Sequence, residues 1–415
     1  MRVAQVPRRF VREEWGGTET VVLETSKRLL GMGHDTFIAC PNALASTNEE
    51  EIDGVQVHRY PYFYPYLGLR AEARQQLDKK GGNLFSFQLM RALKEWPGLD
   101  VIHLHTQKRL GGIGRHVALK RGIPYVVSLH GGVYDVPRGE AATWTEPSRG
   151  ALEWGRVLGM WVGSNRVMED ASAILCVGAG EQKAVQARYP HKNVLLLPNG
   201  VNSERFAVGD GAGFRARRGI PAEATVILTV GRIDVQKNQM LLLRLLPEIR
   251  RLDPTAHLVL IGHVTNASYR QEIEAYAQRQ GLTGHLTLIP GLDTASHELV
   301  NAYHAADLFA LPSVHEPFGI VVLEAWAAGL PVVASRVGGI PSFVVEGADG
   351  LLFDPDDEAQ VLAAFARALS DRPLRAAMAA RGKARAAAEY GWDVVTRKLV
   401  GIYEDAIAQR PRRGT

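Results

Sequence analysis

Short apolar, β-branched runs alternate with longer segments of helical periodicity along almost the whole chain. Each short run is followed by a loop and usually by a helical segment, which predicts a parallel sheet covered by helices on both faces. In the first half the predicted strands are Arg2–Val6, Asp35–Ala39, Val101–Leu104, Tyr125–Leu129, Ala173–Val177 and Val194–Leu197.

The pattern starts again after a stretch rich in Gly and Pro at residues 200–222, where we expect a domain boundary. The second set of predicted strands is Thr225–Val230, His257–Ile261, Leu286–Ile289, Leu308–Leu311, Val332–Ala334 and Leu351–Phe353. We therefore predict an N-terminal domain at 1–205, a C-terminal domain at 206–390, and a last helix at 391–415 that packs back on the first domain.

The fold class predicted by this pattern is α/β, with two Rossmann-like doubly wound domains facing each other across a crevice. Ligands of such sheets bind at the carboxyl ends of the strands. The chemistry is therefore expected in the loops that follow strands.

Composition narrows the class of protein. A chain of 415 residues with 46% hydrophobic and 22% charged residues is neither disordered nor collagen-like. The net charge of +4, without a dense Lys/Arg stripe on any helix, weighs against a nucleic-acid binder. Two cysteines, with no signal peptide or membrane span expected, favour the cytoplasm.

Two glutamates flank a predicted helix start after the strand that ends at Leu311. Pro317 suits the first helical position, which would place Glu316 at the helix entrance and Glu324 two turns in, roughly 12 Å apart. That separation fits the two sugar rings of a nucleotide-diphospho-sugar, and the helix N-terminus between them suits phosphate. The alternative is a capping Glu316 and a solvated Glu324.

Two cations follow the first strand of the second domain. Arg232 can bind an oxyanion through two parallel hydrogen bonds, and Lys237 can act as a point charge, as a diphosphate leaving group requires. The alternative is a pair of surface bases beside a helix start.

The first domain offers weaker signals. Gly16 and Gly17 would let backbone amides approach a ligand, although Thr18 as a simple N-cap explains the same segment. His130 closes the strand Tyr125–Leu129, which favours a functional histidine over a structural one.

Several of these motifs together resemble the retaining family 4 glycosyltransferases of GT-B fold over nearly the whole chain. The motifs are Gly16-Gly17, His130-Gly131, Pro198-Asn199-Gly200-Val201, Gly231-Arg232 with Lys237-Asn238, and Glu316 to Glu324.

The resemblance implies a role for each matching residue. Arg232 and Lys237 would bind the donor diphosphate, Glu324 the ribose hydroxyls and Glu316 the transferred sugar. From the first domain, Gly16 and Gly17 would close on the diphosphate and His130 would lie beside the sugar. Backbone amides at three further positions would face the sugar or the phosphates: Phe318, Gly319 and Ile320. The catalytic set implied is His130, Glu316, Arg232 and Lys237.

The function implied is transfer of a sugar from a nucleotide-diphospho-sugar, with UDP favoured on family frequency, to a hydroxyl acceptor held by the first domain. The acceptor is left open between a glycan, a lipid-linked compound and a small molecule. One rival is a non-hydrolysing sugar-nucleotide 2-epimerase that uses Glu316 or His130 in proton transfer. Another is a nucleotide- or glycan-binding protein without catalysis.

No cofactor or metal is expected. The acidic segment 354–357 imitates a metal-binding motif, but it directly precedes an Ala-rich helix and is predicted to cap it. His103 and His105 share one strand face without an evident third ligand, and we expect a buried structural pair.

Basic clusters and an aromatic run suggest one further partner. Arginines recur in three groups that could attract an anionic membrane, which would place the enzyme at the inner face of the membrane. The run 60–68 holds five aromatic residues and is interpreted as either a surface loop packed on the first domain or a lip for acceptor or lipid. The arginine groups are Arg8, Arg9 and Arg12; Arg215, Arg217 and Arg218; and Arg410, Arg412 and Arg413.

Overall fold

The computed structural model describes residues 1–12, 15–131, 150–292 and 296–409. The chain divides into two compact units. Unit 1 comprises Met1–Pro198 together with Trp392–Thr415, and unit 2 comprises Asn199–Gly391.

Unit 1 is built on an eight-stranded sheet of order β10-β9-β7-β6-β1-β2-β4-β3. All neighbouring strands are parallel except β3, which runs antiparallel to β4 at one edge. The strands are β1 Arg2–Val6, β2 Asp35–Pro41, β3 Glu49–Ile52, β4 Val55–Tyr60, β6 Val101–Leu104, β7 Tyr125–Leu129, β9 Ala173–Cys176 and β10 Val194–Leu196. A separate antiparallel pair joins β5 Tyr66–Leu67 to β8 Leu152–Glu153.

Helices connect these strands and cover the sheet. They are α1 Gly17–Gly31, α2 Ala71–Lys80, α3 Phe87–Glu95, α4 Lys108–Arg121, α5 Arg156–Val162, α6 Val167–Asp170, α7 Ala179–Arg188 and the last helix, α15 Trp392–Ala408. The apolar side of α15 packs in unit 1, because Leu399 and Tyr403 share a core cluster with Val3, Val101 and Val126.

Unit 2 carries a fully parallel six-stranded sheet of order β13-β12-β11-β14-β15-β16. Its strands are β11 Thr225–Val230, β12 Ala256–Ile261, β13 Leu286–Ile289, β14 Leu308–Leu311, β15 Val332–Ser335 and β16 Leu351–Phe353. Its helices are α8 Gly211–Arg218, α9 Gln239–Leu252, α10 Ala267–Arg279, α11 His297–Ala305, α12 Ile320–Ala327, α13 Glu358–Ser370 and α14 Arg372–Tyr390.

Each of the twelve predicted strands is present, with ends that shift by no more than two residues. Sequence reasoning missed β3 and β4, because the charged segment Glu49–Glu51 hides an edge strand whose outer side faces water. The aromatic run packs on unit 1: Tyr64 and Phe63 contact its core, and the hydroxyls of Tyr62 and Tyr64 donate to Asp78 at 2.6 and 2.9 Å.

Candidate functional site

The loop after β11 brings a lysine to a buried glutamate. A single 3-10 turn, Val235–Lys237, begins at Asp234, whose carboxylate accepts from the Lys237 amide at 3.1 Å. The turn places the Lys237 ammonium 2.5 Å from Oε2 of Glu316, and both side chains are largely buried. Unit 2 thus joins a cation and a carboxylate at the carboxyl ends of β11 and β14.

The predicted helix start at Pro317 is wrong. Helix α12 begins at Ile320, with Gly319 as its N-cap in a left-handed conformation at φ 98°. Glu316 therefore lies in the loop, outside the helix, and Glu324 is only the fifth helical residue. The estimate of roughly 12 Å assumed eight helical steps and no longer applies.

Glu316 is positioned by groups that the sequence did not single out. Ser313 donates its hydroxyl to Oε2 at 3.2 Å. The amide of Gly339 donates to the Glu316 carbonyl at 2.9 Å. At Gly338, with φ of 54°, a Cβ atom would lie 2.0 Å from that carbonyl oxygen. The pair Gly338-Gly339, shortly after the predicted strand at 332–334, was the feature of the sequence that could have indicated this close backbone contact.

Gly338→Ala is expected to destabilise the protein by at least about 1 kcal/mol more than Gly281→Ala. Both glycines have left-handed φ angles, which alone costs an alanine roughly 1–2 kcal/mol. Only Gly338 adds a collision with backbone, since nothing lies within 4 Å of a Cβ at Gly281. Urea unfolding of both variants measures the difference, and equal losses would contradict the close packing on Glu316.

Arg232 stays near the solvent. Its guanidinium donates to Gln236 Oε1 at 2.7 Å and lies 3.3 Å from the Asp234 carboxylate. The preceding turn approaches β12 so closely that a Cβ at Gly262 would lie 1.7 Å from the Gly231 carbonyl oxygen. Gly262 is thus a second glycine that sequence reasoning missed.

The segment around the start of α12 offers backbone rather than side chains. The Phe318 ring is buried and stacks on Phe343 with a centroid distance of 4.7 Å. Within the described residues no side chain caps α12 at Gly319, and the Val322 amide donates to the Gly319 carbonyl at 2.9 Å. The amides of Ile320 and Val321 can therefore donate to an anion.

Glu324 is held by a tyrosine. The hydroxyl of Tyr303, a fully buried residue, donates to Glu324 Oε2 at 2.7 Å. Burial raises the pKa of Glu324, although this hydrogen bond partly opposes the rise. Its second oxygen can accept from ligand hydroxyls. Tyr303 was not predicted, because nothing in the sequence separates it from an ordinary core residue of α11.

In unit 1 the glycine pair begins α1. Gly16 is the N-cap and both glycines are exposed. The Gly16 amide donates to Oε2 of the buried Glu19 at 3.1 Å. Gly16 rather than Thr18 therefore caps the helix, and a backbone free of side chains remains accessible there.

His130 ends a chain of buried hydrogen bonds. Its Nε2 lies 2.9 Å from His105 Nδ1, and His105 Nε2 lies 2.7 Å from Gln5 Oε1. Gln5 in turn donates to the Tyr403 hydroxyl at 3.4 Å, and that hydroxyl lies 2.6 Å from Nδ1 of His103. The prediction of a buried pair for His103 and His105 is confirmed. Their link to His130 was not foreseen, because strand pairing sets it.

Acidification should destabilise unit 1. Burial lowers the pKa of His103 to about 3 and that of His130 to about 4. The neutral forms belong to the folded state, so their stabilisation is complete above the unfolded pKa near 6.5 and is lost as the pH falls below it. At pH 5 each of these two histidines lowers the free energy of unfolding by about 2 kcal/mol relative to pH 7.

The measurement is urea unfolding of wild type and His103→Gln at pH 7 and pH 5. The stability advantage of wild type over the variant should shrink by about 2 kcal/mol at the lower pH. Replacing the exposed His191 by Gln is the control and should leave the pH dependence unchanged. A constant advantage of wild type over His103→Gln would contradict a buried neutral His103.

The arginine groups are largely engaged within the fold. Arg8 donates to backbone carbonyls near the end of α2, and Arg215 donates to carbonyls and to Asp307. Arg217 and Arg218 share Glu298. The third group, 410–413, lies outside the described residues.

The acidic segment 354–357 caps a helix. Asp357 caps α13 by accepting from the amides of Ala359 and Gln360, as predicted for the segment 354–357. Among the described residues, no cluster of three potential metal ligands is present. In that same part of the chain, no helix is both long and apolar enough to cross a bilayer.

Comparison with solved structures identifies the fold. Sucrose-phosphate synthase from Thermosynechococcus elongatus superposes with a TM-score of 0.72 at 21% identity, covering 98% of this chain and 99% of the other. The HepE protein of Anabaena, solved with UDP, gives a TM-score of 0.72 at 19% identity, covering 97% and 100%. The two parallel α/β units thus have the GT-B fold of glycosyltransferases.

Sequence comparison then gives the family. The model described as Glycosyltransferase Family 4 matches residues 15–205, and that described as Glycosyl transferases group 1 matches residues 213–385. A D-inositol 3-phosphate glycosyltransferase from Stackebrandtia nassauensis is 32% identical, covering 96% of this chain and 89% of the relative. One of the same name from Frankia alni is 30% identical, covering 95% of both. The chain belongs to glycosyltransferase family 4, which confirms the resemblance and makes it a transferase enzyme.

Proposed function

We propose that this enzyme transfers a sugar from a nucleotide-diphospho-sugar, a UDP-sugar in preference, to a hydroxyl acceptor with retention of anomeric configuration. The observation that carries the proposal is the Lys237–Glu316 pair directly before the free amides of α12. The Lys237 ammonium and the N-terminus of α12 would bind the diphosphate of the donor. The Glu316 carboxylate would accept hydrogen bonds from the hydroxyls of its sugar. Structures of the Anabaena protein with UDP and with UDP-glucose support the donor class.

The chemistry of transfer explains why cations matter. The bond between the anomeric carbon and the diphosphate oxygen breaks, and the electron pair leaves with the diphosphate. Lys237, Arg232 and the α12 amides would stabilise this growing negative charge more in the transition state than in the ground state. Glu324, with one oxygen held by Tyr303, would accept from the ribose hydroxyls.

Retention would follow a front-face route. The acceptor oxygen bonds to the anomeric carbon on the face that the diphosphate leaves, and the acceptor proton passes to the departing phosphate oxygen. This route needs no enzyme nucleophile.

The assignment of Gly16 and Gly17 to the diphosphate remains part of the proposal and is supported by their exposed backbone.

A thermal-shift panel tests the donor assignment. UDP is expected to stabilise the protein more than GDP or ADP, because a UDP-sugar is the proposed donor. A ligand at 100 times its dissociation constant adds about 2.7 kcal/mol to the free energy of unfolding. Lys237→Ala should abolish most of the shift, and Arg244→Ala, which removes an exposed cation of α9 paired with Glu358, should preserve it. If none of the three nucleoside diphosphates raised the melting temperature, the proposal would be contradicted.

The two rival functions are separated by turnover. Incubation of a sugar nucleotide without acceptor would give an epimerised donor if the chain were a 2-epimerase. A binding protein would hold the donor and show no turnover over a wide acceptor panel.

The acceptor is proposed to be a hydroxyl compound. The relatives' name assigns D-inositol 3-phosphate to those proteins, which supports a small polyol over a glycan. Peripheral contact with an anionic membrane remains a proposal that now depends on Arg410, Arg412 and Arg413, since the other arginine groups are engaged.

A further inference from the structure

Gln236 lies between the two loops that carry the charged residues of the unit 2 site. Its backbone carbonyl accepts from the Val314 amide at 2.9 Å, and its side-chain Nε2 donates to the His315 carbonyl at 3.1 Å. Val314 and His315 directly precede Glu316 in the chain. One residue therefore joins the loop after β11 to the loop after β14 by two hydrogen bonds.

The other end of the Gln236 amide holds Arg232. Its Oε1 accepts from Nη2 of Arg232 at 2.7 Å, and the same nitrogen lies 3.3 Å from Oδ2 of Asp234. The Asp234 carboxylate is engaged in its own loop, since Oδ1 accepts from the Lys237 amide at 3.1 Å and Oδ2 from the Thr265 hydroxyl at 3.0 Å. Gln236 is thus the closer partner of the guanidinium.

These contacts leave most of the Arg232 guanidinium available. Within the described residues, its Nε and Nη1 have no acceptor. A guanidinium presents its donors in a rigid planar fork, so a fixed Nη2 also sets the direction of the other N–H groups. The Arg232 side chain is 53% exposed, and a side chain that exposed loses rotational freedom when it binds a ligand. The hydrogen bond to Gln236 restricts it in advance.

The chemistry of an amide suits this task. An uncharged oxygen orients a guanidinium without neutralising it, whereas a carboxylate in its place would form an ion pair that an incoming phosphate must displace. The same side chain must also donate to the His315 carbonyl. Glutamine carries an acceptor and a donor on one terminal group, so it can do both.

We propose that Gln236 is a positioning residue of the donor site. It holds Arg232 in a fixed place relative to the Lys237–Glu316 pair, so that the guanidinium meets the donor diphosphate in the right orientation. Gln236 acts only through Arg232, and the role of Arg232 toward the diphosphate rests on the proposed function.

A double-mutant cycle on the binding of UDP, measured by calorimetric titration of the full-length protein, tests this role. Gln236→Met keeps the length of the side chain and removes the hydrogen bonds of its amide. It should weaken UDP binding by at least about fivefold, because Arg232 must then be ordered by the ligand. In the Arg232→Ala background the same substitution should weaken binding by less than about twofold. A residue that only supported the fold would cause equal losses in both backgrounds.

Three further variants complete the experiment. Gln236→Glu can still accept from Arg232, but its charge competes with the phosphates for the guanidinium, so UDP should bind more weakly than to Gln236→Met. Gln236→Ala is a second truncation and should behave like Gln236→Met. Gln278→Met, which replaces an exposed glutamine of α10, is the matched control and should bind UDP like wild type.

The proposal is overturned if Gln236→Met and Gln236→Ala bind UDP like wild type, or if the loss is the same with and without Arg232. It is also overturned if Gln236→Glu binds UDP as tightly as Gln236→Met does. Absence of UDP binding by wild type would overturn the donor assignment and this role together. A wild type that binds UDP and is insensitive to Gln236 would overturn this role alone.

Discussion

Lys237→Ala is expected to lower turnover by on the order of a hundredfold or more, because it removes a cation aimed at the leaving diphosphate. The loss of one such donor typically costs about 2.7–4 kcal/mol of transition-state stabilisation. The effect should appear in kcat as well as in donor affinity, since the charge on the diphosphate grows as the bond breaks. Arg232→Ala should act in the same direction.

The structure adds a complication that the experiment must control. The Lys237 ammonium lies 2.5 Å from Glu316, so Lys237→Ala leaves a buried carboxylate without its cation. Such a change can destabilise a protein by about 3–5 kcal/mol. The double variant Lys237→Met/Glu316→Gln removes both charges and should recover stability without recovering turnover. Wild-type rates in a well-folded Lys237→Ala protein would contradict the assigned role.

Glu316→Gln is expected to lower turnover by a comparable factor while strengthening the binding of UDP. The carboxylate is proposed to hold the transferred sugar, so turnover suffers when it becomes an amide. UDP lacks that sugar and competes with Glu316 for the same ammonium. Removing the negative charge therefore frees Lys237 for the diphosphate. The expected gain in UDP affinity is on the order of tenfold, which corresponds to a binding free energy of about 1.4 kcal/mol.

Titration calorimetry with UDP and initial rates with the UDP-sugar separate these effects. Ser313→Ala is the control, because it removes a weaker partner of the same oxygen, at 3.2 Å, and keeps the charge. It should change UDP affinity by less than Glu316→Gln does. If Glu316→Gln weakened UDP binding as strongly as Lys237→Ala, the competition between carboxylate and diphosphate would be disproved.

The sequence was sufficient to predict the alternation of strands and helices and the residues that end the strands. Arg232 and Lys237 follow β11, and Glu316 follows β14, which is an immediate neighbour of β11 in the sheet. Strand order brings these loops together, so a lysine and a glutamate separated by 79 residues come into contact.

The conformation of individual loops was harder to predict. Pro317 is a good first helical residue, yet Gly319 adopts the left-handed conformation and delays α12 to Ile320. The reason lies in tertiary packing, since Gly338 and Gly339 press against the Glu316 backbone. Local preference for a helix start was overridden by contacts from another strand end.

Hydrogen bonds between residues far apart in the chain could not be predicted from the sequence. His105 and His130 directly follow the neighbouring strands β6 and β7, and Tyr403 reaches His103 from the last helix, 300 residues away. No spacing rule links these positions.

The most direct test of the proposed activity is ¹³C NMR of a reaction with a UDP-sugar labelled at the anomeric carbon and with a polyol phosphate as acceptor. The proposal predicts a glycosylated product whose anomeric carbon has the same configuration as the donor, together with release of UDP. An inverted anomeric carbon, or an epimerised donor formed without acceptor, would contradict it.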